Sequence, residues 1–306
     1  MTATTAPAPM SRPVALGCLL LATIVWGLAF IAQKSAMGVM GPLTFLAARY
    51  LLGGLLIVPL ALREDRRQPQ RLTRRQWLLI GFLSFNFFMG SWLQQAGLAH
   101  TTVTNGGFLT GLYVFFVPLI LLVVFRTPPH KIVWLCAPVA LIGLYLLNGA
   151  RLDGLNPGDG LVIGSAVFWA LHVLMLGFLA KETGRPIFVS SASFLIAGLL
   201  SLVGAFAIET PTMEALSLGW VEILYAGVFS TAIGFTLQAI GQQHVPPANA
   251  AIILSAESLF AALGGAVVLG ERLLPLGYLG AGCIFMAIVL VEVIPTLRKR
   301  PAASIP

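Results

Sequence analysis

Within the long apolar runs of this chain, a few ionisable, polar and aromatic side chains have the chemistry to recognise a ligand. Glu257 stands about ten residues into the run 247–270 and is its only charged residue before the closing segment. Out of water, a carboxyl serves as partner for a substrate ammonium, as a proton carrier, or as half of an ion pair, here with Arg49, the only charge in the run 43–62. At a chain offset of 144, Glu257 falls on Tyr113, and Thr110 precedes Tyr113 by about one turn on the same helix face. Asn86 and Ser230 correspond at that offset, and Gln238 shares the second of these runs. Trp26 and Trp169 correspond at an offset of 143, with Gln33 seven residues after the first and His172 three after the second, so each helix can present a ring beside a polar group. Such walls suit a zwitterion with an apolar or aromatic side chain, through apolar area and cation–π attraction, and equally a lipophilic drug. The substrate-binding set is therefore Trp26, Asn86, Thr110, Tyr113, Trp169, His172, Ser230, Gln238 and Glu257. The structural alternatives are interhelical hydrogen bonds for the amides and hydroxyls, and packing for the rings.

The elements that must hold these groups are membrane helices. Of 306 residues, 58% are hydrophobic and only 9% charged, with a mean hydropathy of +0.93. Soluble domains are about 45–50% apolar and 25% charged, so that class is excluded. Apolar runs bounded by charged, Gly-rich or Pro-rich breaks fall at 14–34, 43–62, 77–98, 103–125, 132–149, 160–180, 187–208, 219–241, 247–270 and 274–294. At about 20 residues per crossing this predicts an all-α polytopic membrane protein of ten transmembrane helices. The first run is longer than a secretory h-region and is expected to be a retained helix. Cys18, Cys136 and Cys283 lie in apolar runs without a CxxC pair, so neither disulfides nor a metal site are expected.

Charge distribution sets the orientation. With the N terminus inside, that side carries Arg12, the six arginines from Arg63 to Arg75, Arg126, Lys131, Lys181, Arg185, Arg298, Lys299 and Arg300. The opposite loops carry only Lys34, Arg151 and Arg272. Fourteen basic residues against three predict both termini in the cytoplasm and a place in the cytoplasmic (inner) membrane. The formal net charge of +7 is thereby a topology signal facing anionic lipid, with the bilayer and not nucleic acid as partner.

The offset of 144 also carries Phe85, Gly90, Leu93, Gln94, Gly97, His100 and Asn105 onto Phe229, Gly234, Leu237, Gln238, Gly241, His244 and Asn249. Five spans thus recur as five, with domains 1–150 and 151–306, and an odd number per unit predicts inverted topology. His100 with Asn105, and His244 with Asn249, are expected to cap the fourth and ninth helices. The glycine-rich segment 154–160 lacks a phosphate-loop lysine and is expected to join the two units.

Trp26–Gly27 followed by Lys34, Arg49 in the second span, and Leu269–Gly270–Glu271–Arg272 closing the ninth are the motifs by which the chain resembles the drug/metabolite transporter (DMT) superfamily with two EamA domains, the group that includes bacterial YddG-type amino-acid exporters. The resemblance covers nearly the whole chain, although Phe125–Arg126 replaces the Gly–Glu ending in the first unit. It implies a central cavity lined by spans 1, 3, 4, 6, 8 and 9, and export of amino acids or related small metabolites by alternating access. The loops hold about a dozen residues, too few for a nucleotide-binding domain, so transport would be secondary or facilitated, with no cofactor. The other readings are a drug or lipophilic-compound exporter, or a non-transporting intramembrane enzyme or scaffold. No nucleophile, base or metal-ligand cluster marks an enzyme, and a non-enzymatic carrier is expected.

Overall fold

A chain in hydrocarbon must satisfy its backbone hydrogen bonds within itself, and a helix does so within one segment. The computed structural model describes residues 10–150, 156–268, 270 and 274–298, and among these all regular structure is helical. Nine helical segments have the length and apolarity to cross a membrane: α1 Arg12–Ala36, α2 Pro42–Arg66, α3 Arg74–Leu98, α4 Val103–Val123, α6 Pro157–Thr183, α7 Pro186–Ile208, α8 Trp220–Gln242, α9 Pro247–Val268 and α10 Pro275–Arg298. The tenth, α5 Val133–Leu147, is apolar but only 15 residues long. It spans about 22 Å against a hydrocarbon core of about 30 Å. All ten fall on the runs read from the sequence. Large apolar side chains such as Leu55, Leu78, Val203, Phe206 and Phe285 stay exposed on the outer surface, as lipid contact requires.

Helix starts follow local chemistry. Proline occupies the first turn of α1, α2, α6, α7 and α9, where a missing N–H costs nothing. Thr73 with Gln76, and Asn156 with Asp159, form capping boxes at α3 and α6. The first amides of α2 are capped from elsewhere: the Glu209 carboxylate, beyond α7, accepts from Leu43 N and Thr44 N, both at 2.8 Å. The expectation that Asn105 and Asn249 cap their helices is corrected. Thr102 caps α4, its hydroxyl accepting from Asn105 N, and Pro246 stands at the cap position of α9. Both asparagines sit inside the first turn, so their side chains point sideways to neighbouring elements. Asn105 accepts from Asn148 at 3.1 Å and donates to Asp159 at 2.5 Å, while Asn249 donates to Glu292 at 3.0 Å.

Two of the helices are broken near mid-length. In α4 the turn at Gly111–Leu112 tightens to three-residue spacing, with Leu112 N donating to Leu109 O and Val114 N to Gly111 O. In α9 the same pattern runs from Ala256 N to Ile253 O and from Ser258 N to Ser255 O, each at an offset of 144. Ser255 Oγ covers the carbonyl of Ile252, and Ser258 Oγ reaches across to Gly107 O at 2.6 Å, joining the two breaks. Helix α8 departs differently, running as a π-helix over Tyr225–Phe235, with Thr231 Oγ1 donating to Ala226 O.

Packing pairs recur too, at 144 for α3 with α8 and for α2 with α7, and at 143 for α1 with α6. Gly97 of α3 meets Gly158 O and Val162 of α6, and Gly241 of α8 meets Ala15 O and Leu19 of α1. Gly90 lies against Trp169, and Gly234 against Trp26. Between α2 and α7, Gly54 faces Leu195 while Gly198 faces Leu51. The end of α3 touches the start of α6 and also holds Lys34 at the end of α1, so α1 and α6 run in opposite directions. The Gly–Glu–Arg ending after α9, the joining segment 151–155, and Lys299 and Arg300 lie outside the described residues, apart from Gly270, which has a positive φ of 69°.

Candidate functional site

Buried polar groups concentrate where α1, α2, α3, α4, α6, α8 and α9 converge. They line a cavity bounded by Trp26, Phe30, Gln33, Arg49, Tyr50, Gln94, Thr110, Tyr113, Trp169, Val173, Ser230, Phe235, Gln238, Leu254 and Glu257. Small-molecule sites likewise mix apolar walls with a few placed polar groups.

One wall is aromatic. Phe235 on α8 packs against Trp26 with ring centroids 4.5 Å apart and stacks on Trp169 at 5.8 Å, so the paired tryptophans of α1 and α6 meet through a single ring. Trp26 reaches this position because Gly234 removes the side chain that would block it, and its Nε1 donates to Ser230 O at 3.1 Å. Trp169 approaches Gly90 in the same way, but its Nε1 has no hydrogen-bond partner.

The rest of the lining is polar. Gln94 Nε2 donates to Thr110 Oγ1 at 2.8 Å. Arg49 donates to Ser230 Oγ at 2.9 Å and to Thr231 Oγ1 at 3.4 Å. Tyr113 and Glu257, each the first residue after a helix break, adjoin, yet neither Tyr113 Oη nor Glu257 Oε1 has a partner of hydrogen-bonding geometry. Gln238 Oε1 is likewise free. Buried polar atoms in folded proteins are nearly always paired; four without a partner belong to this lining, and others, such as those of Ser190, Ser201 and Thr236, lie outside it. Among the lining residues, Glu257 and Gln238 carry acceptors, and Tyr113, Trp169 and Arg49 carry donors.

Of the nine residues read from the sequence, Trp26, Thr110, Tyr113, Trp169, Ser230, Gln238 and Glu257 line this cavity. His172 stands one layer behind, among Phe87, Trp169 and Phe235 and beside Gln238, with both ring nitrogens unpartnered. Asn86 does not line the cavity, because its amide turns back onto its own helix and donates to Phe82 O at 2.8 Å. An ion pair between Arg49 and Glu257 is not formed; among the described residues the pairs are Arg12–Glu292, Arg75–Glu182 and Arg185–Asp65. The residues missed are Arg49, treated only as a counter-ion, and Gln94, whose match to Gln238 was a readable signal. Phe235 carried no such signal.

Helices wrapped around an internal cavity of mixed polar and aromatic lining, with apolar side chains facing outward, fit a multi-pass membrane protein of the transporter class. The chain belongs to the EamA-like transporter family, whose description matches residues 14–149 and again 156–293. An uncharacterized transporter from Archaeoglobus fulgidus is 30% identical over 275 residues, covering 90% of this chain and 84% of that one. The uncharacterized inner membrane transporter YedA of Escherichia coli K12 is 24% identical, covering 90% and 89%. The threonine/homoserine exporter RhtA of the same strain is also 24% identical, over 91% and 90%. A crystal structure superposes with a TM-score of 0.76 at 17% identity, over 95% of this chain and all of that chain, a likeness of fold alone.

Proposed function

We propose that the protein is a secondary or facilitative exporter of amino acids or related small metabolites, working by alternating access around the central cavity. The observation that carries this reading is the lining itself: an aromatic wall beside unpaired donors and acceptors of both kinds, which together fit an ammonium, a carboxylate and an apolar side chain. The likeness to RhtA supports the amino-acid class, and family membership supports transport over the enzyme and scaffold readings.

Alternating access needs two related halves. Recurrence of helix breaks, glycine contacts and asparagine bonds at offsets of 143–144 supports two five-helix repeats, 1–150 and 151–306, and the opposed directions of α1 and α6 support inverted topology. The halves also supply ties at opposite ends. Lys34 donates to Leu98 O and Ala99 O, joining α1 to α3, while Gln242 donates to Val173 O and Gln243 to Ala180 O, joining α8 to α6. Releasing one tie and keeping the other would open the cavity to one side.

Reconstituted protein should move labelled amino acids across proteoliposomes, with threonine, homoserine and phenylalanine in the panel and a proton gradient present or absent. Transport of a lipophilic cation but of no amino acid would replace this reading with the drug-exporter one.

A further inference from the structure

We propose that Arg49 is the anion-recognising residue of the cavity and receives the carboxylate of the transported molecule. The proposal rests on the reading of the cavity as the substrate site. Arg49 lies eight residues into α2, is 3% exposed, and lines the cavity. A guanidinium stays charged in any protein environment. Here no carboxylate compensates it, since none of the ion pairs among the described residues includes Arg49. Its polar partners are the two hydroxyls of Ser230 and Thr231, which occupy two of five N–H donors, one of them at a long 3.4 Å.

The group is nevertheless held firmly. Its central carbon lies 4.9 Å from the Tyr50 ring and 5.6 Å from that of Phe45, and Tyr50 is itself fixed by a 2.5 Å hydrogen bond to Ser91. Ser230 is anchored from the other side by Trp26, which takes its carbonyl. The result is a planar donor fork, oriented by rings, on the cavity wall. Carboxylates match that fork, and a buried cation is costly without a counter-charge, so a carboxylate on Arg49 would supply the partner that no ion pair among the described residues gives it. Glu257 lines the same cavity from α9 with one carboxyl oxygen free, the complementary acceptor for an ammonium. A zwitterion would thus be oriented with its carboxylate on α2 and its ammonium on α9.

The test compares wild type, Arg49→Gln and Arg49→Lys in proteoliposomes, after each has been checked for monodispersity. The probes are L-phenylalanine, L-threonine, phenethylamine, which lacks the carboxylate, and 3-phenylpropionate, which lacks the ammonium. Losing a charge-assisted hydrogen bond should lower amino-acid transport relative to phenethylamine by about ten-fold or more in Arg49→Gln. Arg49→Lys should be intermediate, because a point charge replaces the fork. The ratio within one variant is the readout, since a tether to α8 alone predicts equal losses for all probes, and that outcome overturns the proposal. If Arg49→Gln does not fold, Arg49→Lys carries the comparison, and an unchanged ratio there overturns it. Amino-acid transport with unchanged discrimination refutes Arg49 and keeps the proposed function. Wild-type transport of 3-phenylpropionate but of neither amino acid, lost in the variants, keeps Arg49 and refutes the amino-acid reading. Transport of phenethylamine alone, or of no probe, overturns both.

Discussion

Glu257 begins the second half of a broken helix, beside Tyr113, which begins the second half of another. Its place on the cavity wall, beside a tyrosine and in none of the ion pairs among the described residues, makes it a candidate partner for cargo. Glu257→Gln keeps shape and most hydrogen-bonding capacity while removing the charge. Transport should fall about ten-fold or more with folded protein retained, by analogy with other lost charge-assisted bonds. Native rates with and without a proton gradient would place the residue among the packing polars instead. The tryptophans make a sharper pair because their hydrogen bonding differs. Trp26 donates to Ser230 O, whereas Trp169 Nε1 has no partner. Trp169→Ala should therefore lower transport by about three- to ten-fold, the range of one aromatic contact, with little loss of folded protein. Trp26→Ala should lower both, because it also unties α1 from α8. Fluorescence-detected size exclusion alongside uptake separates the two effects, and normal transport by both variants would remove the rings from the substrate path.

At the scale of elements, small residues decide how closely helices approach. A methyl group on Gly97 would stand 2.5 Å from the backbone oxygen of Gly158, a position that α6 cannot yield without moving as a whole. A methyl on Gly17, also helical, would meet nothing within 4 Å. Gly97→Ala is expected to cost about 1–3 kcal/mol as overpacking, lowering the thermal midpoint in detergent. Gly17→Ala should be neutral or stabilising by up to about 1 kcal/mol, because alanine is the better helix former. Equal midpoints for the two variants would contradict this packing. Ten apolar runs were legible because a bilayer demands about 20 apolar residues per crossing whatever their neighbours. The breaks at Gly111–Leu112 and Ser255–Ala256 were not legible, since neither contains proline and both occur inside unbroken apolar runs. Nor was the π-helical stretch of α8, within which Thr231 bonds back to Ala226 O and accepts from Arg49 of another helix.

For the whole molecule, the basic residues argue that the Arg63–Arg75 segment and both termini face the cytoplasm, against loops such as 37–41 on the other side. Single cysteines introduced at Gln68 and at Gly38, in a background with Cys18, Cys136 and Cys283 replaced by serine, test this in intact cells. An impermeant maleimide added outside should label the Gly38 variant and spare the Gln68 variant. The reverse pattern would invert the topology and, with it, the direction in which the proposed ties of Lys34 and of Gln242 open the cavity.

Sequence by itself determined the class and seven of the fifteen residues that line the cavity. Composition and run length dictate membrane helices. Polar groups costly in hydrocarbon are kept only where they face one another or a cavity, which is why seven of nine sequence-read positions line one space. Tertiary structure decided the rest, because side-chain direction and partner choice are set by contacts between distant segments. Asn86 had the right depth but found Phe82 O in its own helix, and His172 was screened by the rings it packs against. Arg49 and Glu257 had opposite charges and similar depth, and nothing local to either one forbade a pair. Only the packing of α2 on α8, which gave Arg49 the hydroxyls of Ser230 and Thr231, kept the two charges apart within one cavity.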